Sequence, residues 1–130
     1  MTATVPPEAV MAWAIMAAKR ANQDVLIENV SSMFARLRDA KVEEVGKVAL
    51  RRLPHGLYSE DVEAFFGHLL AGGFANAQSP LKINDQGAQL CQELLEEESA
   101  AHPEALRKIA DVLGLDLALV KSPTPSPQPA

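Results

Sequence analysis

The sequence holds a single cysteine, Cys91, so it has neither an internal disulfide framework nor a zinc finger. Aromatic residues make up only 5% of its 130 residues, and alanine and leucine fill the gap, a composition that leans towards helix. Long hydrophobic runs are missing too. The longest, Val10 to Ala18, would span about 14 Å as a helix, roughly half a bilayer core. Glu8 precedes it and Lys19-Arg20 follow it, the reverse of a signal peptide's charge order. A cytoplasmic protein with no membrane partner is therefore expected. At 48% hydrophobic and 22% charged, the chain sits among globular proteins of one domain.

Catalytic and metal-binding patterns are absent as well. His55, His68 and His102 are far apart, with no His-x3-His or Cys/His pair to start a metal site. Cys91 falls on an apolar stripe with Leu90, Leu94 and Leu95, which reads as a small buried hydrophobe rather than a nucleophile. Gly72-Gly73 ends a helix instead of opening one, so it is no phosphate loop. The expectation is a non-enzymatic protein with no cofactor and no metal.

What is present is a succession of helical patterns, pointing to a mainly α fold: a helical bundle with a small β-hairpin. Residues 1–6 read as a loose start and residues 7–120 as the folded unit. Residues 121–130, with four prolines, read as a disordered Pro-rich tail. Pro7-Glu8 opens a first helix that is apolar on most of its circumference, with a face over Val10 to Ala18 available for self-association. Asp24 is placed to cap a second helix carrying Leu26, Val30, Met33, Phe34 and Leu37. A third helical segment is expected from Val42 to Leu53, stopped by Pro54.

Further along the signals sharpen. Ser59 reads as an N-cap, with Val62, Phe65, Phe66, Leu69 and Leu70 at full helical spacing as core. Gly72-Gly73 closes that helix, and one glycine is available for the left-handed position. Residues 74–76 and 80–83 suggest a small exposed hairpin. Asn84 caps the next helix, and Pro103 opens a last one that closes at Gly114. Residues 115–120 stay open between helix and strand.

The stretch from Gly56 to Phe74, followed by Leu81-Lys-Ile-Asn-Asp-Gln-Gly87, resembles a winged helix-turn-helix domain. Asn84 stands where that family usually has a threonine cap, and Gly87 where its glycine lets the following helix pack closely. The resemblance implies that the 59–71 helix occupies the position DNA-reading members use for the major groove. Its chemistry disagrees with that job: off the apolar stripe it offers Glu60, Asp61, Glu63, Ala64, Gly67 and His68. Base reading needs donors of the Arg, Lys, Asn or Gln type.

Charge is unevenly distributed within the net −5. Residues 1–56 carry 8 Lys and Arg against 6 Asp and Glu, whereas residues 57–130 carry 4 against 11. Two features follow. Glu96, Glu97 and Glu98, near a helix end where the dipole disfavours acids, form a candidate acidic docking patch. Arg36, Arg38, Lys41, Lys47, Arg51 and Arg52, with Lys82 on the wing, are candidate contacts for phosphate or an acidic partner. The favoured function is a small adaptor or regulatory subunit acting through another protein. The alternative is a winged-helix transcriptional regulator gripping DNA with residues 36–52.

Overall fold

Pro7 enters the first turn of α1 (Pro7–Arg20), where its missing N–H costs nothing, and Glu8 faces the positive end of the helix dipole. Seven consecutive residues, Ala9 to Ile15, are buried. α1 is thus the central strut of the computed structural model, which describes residues 4–54, 56–78 and 80–117. Fully burying a side chain such as Val10, Met11 or Ile15 contributes roughly 1.5–3 kcal/mol before the entropic cost. The indole N–H of Trp13, also fully buried, donates to the Asp116 carbonyl at 3.2 Å, tying the last described turn to α1. The face expected to be free for self-association is largely enclosed by the chain itself. Met16, Ala17 and Ala18 remain half-buried.

α2 (Ile27–Asp39) follows, with Leu26 at its N-cap and no side-chain cap. Asp24 lies outside it and instead faces Lys82 at 3.6 Å, so the expected cap is corrected to an ion pair. The helix expected over residues 42–53 does not form. Lys41 takes a left-handed conformation (φ 60°) that turns the chain out of α2. Val45 then pairs in parallel with Val5, and Gly46 sits against the Pro7 ring, which a Cβ would meet at 2.8 Å. Valines at 42, 45 and 48 suit such extended backbone. The segment ends in β1 (Arg51–Leu53), antiparallel to β2 (Gly56–Tyr58), where Gly56 at φ 142° takes a conformation open to glycine. Val5 is fully buried, so the expected loose start does not extend to it.

The second half follows its sequence signals closely. Ser59 Oγ accepts from the N–H groups of Asp61 (3.2 Å) and Val62 (3.4 Å) and opens α3 (Glu60–Ala71). Gly73, at φ 82°, takes the left-handed position after it. A second hairpin, β3 (Ala75–Gln78) with β4 (Leu81–Ile83), carries a bulge between Ala75 and Ala77. Leu81 also bonds back to Val25 (2.9 Å), anchoring the hairpin to the loop after α1. Asn84 Oδ1 accepts from Gly87 N–H at 2.9 Å and opens α4 (Asp85–Ala101). α5 (Pro103–Leu113) closes at Gly114 in the left-handed region (φ 70°). The described fold is mainly helical with two small antiparallel hairpins, a winged-helix-like arrangement in which α1 packs chiefly on α4 and α2 on β2 and α5. Among the described residues, no helix is long and apolar enough to cross a membrane.

Candidate functional site

α3 presents Glu60, Asp61, Glu63, Ala64, His68, Leu70 and Ala71 as exposed residues. Its acids are bound into the chain. Glu60 faces Arg51 at 3.4 Å, and the Arg51 guanidinium lies 5.6 Å from the centre of the Tyr58 ring. Asp61 Oδ2 accepts from Ala49 N–H at 2.8 Å. Tyr58 donates to the Glu63 carboxylate, and that hydrogen bond, with burial and the nearby acids, pushes its pKa up to about 12. The face holds no Lys, Arg, Asn or Gln.

The apolar stripe of α3 is narrower than its spacing implies. Val62, Phe66 and Leu69 are buried, but Phe65 is only half-buried and Leu70 is 39% exposed, a correction to the five-residue core expected here. Phe65 is left facing α4, and between the two helices opens a groove of about 700 Å³. Its apolar walls are Phe65, Leu90 and Leu94, with Cys91 beneath. Its rim is Glu93, Glu96 and Glu97, and among the described residues no cation lines it. Gln89 donates to Glu93 (3.2 Å) and Gln92 to Glu96 (3.3 Å), one helical turn apart, which restrains both carboxylates without neutralising them.

Two of the three acids of the expected patch therefore meet in this groove, and the third does not. Glu98 turns inward and is 9% exposed, its Oε1 without a hydrogen bond and 3.8 Å from His102 Nε2. Glu93, Phe65, Leu90 and Leu94 are the site residues that sequence reasoning missed. The Leu90/Leu94 and Glu93/Glu97 pairs, each four apart, carried the signal, but the leucines read equally well as core.

The cations of residues 36–52 do not act as one group. Arg36 donates to the Val112 carbonyl at 2.8 Å, completing the end of α5, and Arg51 serves Glu60. Lys82 serves Asp24, and Arg52 is exposed on β1. Arg38, Lys41 and Lys47 come together around a different groove. Cys91 is buried and its surroundings push the thiol up to about 12. No group of three metal-ligating side chains occurs among the described residues, and His55 lies outside them. Comparison with protein families, with curated proteins and with solved structures finds no match for this chain.

Proposed function

We propose that this chain is a non-enzymatic adaptor or regulatory subunit whose α3–α4 groove receives a basic segment of another protein. The observation that carries the reading is the groove itself: an apolar wall of Phe65, Leu90 and Leu94 under three carboxylates that no cation among the described residues balances. Such a surface recognises an apolar side chain flanked by Lys or Arg, gaining area from the first and orientation from the second. The fold is read as a winged helix, with α3 in the reading position and β3–β4 as the wing. On that reading its α3 side serves protein rather than bases.

Duplex DNA is the competing reading, and the chemistry of α3 argues against it. Arg36 is committed to the Val112 carbonyl, whereas Arg51 and Lys82 make only exposed surface pairs with Glu60 and Asp24. Three acids stand on the helix that would enter the groove of DNA, where phosphates repel them.

The test compares the full chain with a Glu93→Lys/Glu97→Lys double variant as bait in the native host. A stoichiometric partner held by the wild type and lost by the variant is expected, with its contact cross-linking to α3 or α4. If both baits return the same partners, or the wild type returns none and retards duplex DNA at low salt, the adaptor reading fails.

A further inference from the structure

A second groove has the reverse chemistry. After α2, the left-handed turn at Lys41 brings residues 42–48 back alongside the last turns of the helix. That segment is pinned from its far side: Val5 N–H donates to the Glu44 carbonyl (2.7 Å) and Gly46 N–H to the Val5 carbonyl (2.8 Å). A groove of about 300 Å³ is left between helix and segment, at the small end of the range for binding clefts. Its floor is Phe34, Leu37, Val42, Val45 and Val48, the first four at most 8% exposed.

Among the described residues, its rim holds Arg38, Lys41 and Lys47 against the single carboxylate of Glu43. Cations near a helix C-terminus are favoured by the dipole, which accounts for Arg38 and Lys41 but not for Lys47, eight residues past the last helical residue. Arg38 touches the exposed Asp39 at 3.3 Å, a weak surface pair that leaves it available. Neither lysine has an ion pair among the described residues.

We infer that this groove is a second protein-binding site and that it takes an acidic segment. One apolar side chain of the partner sits on Phe34 and the valines, and carboxylates on either side of it reach Arg38, Lys41 and Lys47. Charge complementarity selects the acid, and the floor selects a protein over a nucleic acid. A phosphate track would leave the aliphatic floor uncovered and would meet Glu43, and the groove offers no exposed aromatic face for a base. The inference is independent of the α3–α4 groove. Both together make the chain a bridge between a basic and an acidic partner.

The probe is a fluorescent peptide in which Leu and Phe alternate with Glu and Asp, titrated into the full chain with amide NMR shifts recorded in parallel. Saturable binding is expected, with shifts confined to α2 and residues 41–48. Lys41→Glu/Lys47→Glu, both on exposed side chains, weakens it by about tenfold or more, and Val48→Gln weakens it at unchanged charge. Glu93→Lys/Glu97→Lys leaves it unchanged, which separates this site from the first. No saturable binding, or equal binding by the lysine-reversed variant, overturns the inference. So does a groove that answers instead to dilution of the protein, to duplex DNA or to vesicles of anionic lipid, because the occupant is then a second copy, a nucleic acid or a membrane.

Discussion

Gly87, in the first turn of α4, lies so close to the carbonyl of Phe74 that a Cβ at that position would overlap its oxygen. The contact is fixed on both sides. Asn84 N–H donates to the same carbonyl at 3.1 Å, Asn84 Nδ2 to Gly73 O at 2.7 Å, and Gly87 N–H to Asn84 Oδ1 at 2.9 Å. Because the obstacle is backbone, it cannot rotate away. Gly87→Ala is expected to destabilise the protein by about 2–3 kcal/mol despite the better helix propensity of alanine. Gly67, inside α3, is the control: a Cβ there meets only Gln78 Nε2 at 3.6 Å, an ordinary contact. Gly67→Ala should stabilise by about 0.5–1 kcal/mol. Urea midpoints of the two variants moving in the same direction would contradict the packing described.

Such local devices are where the sequence was most legible. Ser59, Asn84, Pro7, Pro103 and Gly114 each place a helix end by chemistry that acts within four residues, and each does so in the structure. Residues 42–53 failed for the opposite reason. Their apolar spacing fits a helix, and only the distant Val5 and Pro7, packed on Val45 and Gly46, decide for extended backbone. The acidic groove was half legible. Glu96 and Glu97 stand out as a charge run, but the half-burial of Phe65 and the enclosure of Glu98 depend on which faces of α3 and α4 the rest of the chain covers, which no single helix encodes.

Glu98 gives the second prediction. Its carboxylate is nearly enclosed, lacks a hydrogen bond at Oε1 and sits in the last turn of α4, where the dipole disfavours an anion. His102, the nearest base, keeps access to solvent with 23% of its side chain exposed. Removing the carboxylate therefore strands no buried partner. Glu98→Leu should raise stability by about 1–2 kcal/mol, measured by urea unfolding with unchanged slope. A lowered midpoint would mean that the carboxylate makes a stabilising interaction beyond those described.

Cys91 provides a reactivity test. The thiolate is the reactive form, and burial, the cause of the rise to about 12, disfavours that charge and blocks access together. At pH 8 the native protein should react with iodoacetamide at least about a hundredfold more slowly than the urea-unfolded chain, because reaction requires opening. The folded pKa lies above the unfolded one, so the thiol's contribution to stability is complete below about pH 8.5 and declines from there towards pH 12. Rapid stoichiometric labelling of the native state at pH 8 would contradict the burial.

Phe65 and Phe66 are adjacent in sequence and opposite in consequence. Phe66 is fully buried in the core, whereas Phe65 is half-buried and forms a wall of the acidic groove. Phe66→Ala removes a core side chain and should cost about 3–5 kcal/mol, with no specific effect on partner binding in the molecules that remain folded. Phe65→Ala leaves a surface that water can fill, so its stability cost should be a fraction of that, about 1 kcal/mol. It also deletes an apolar anchor point from the wall of the acidic groove, and should weaken a basic, leucine-containing peptide by about tenfold while leaving its salt dependence unchanged. The pair is read by urea unfolding together with fluorescence titration. Equal losses of stability would place Phe65 in the core, and undiminished peptide binding by Phe65→Ala would remove the aromatic wall from the site.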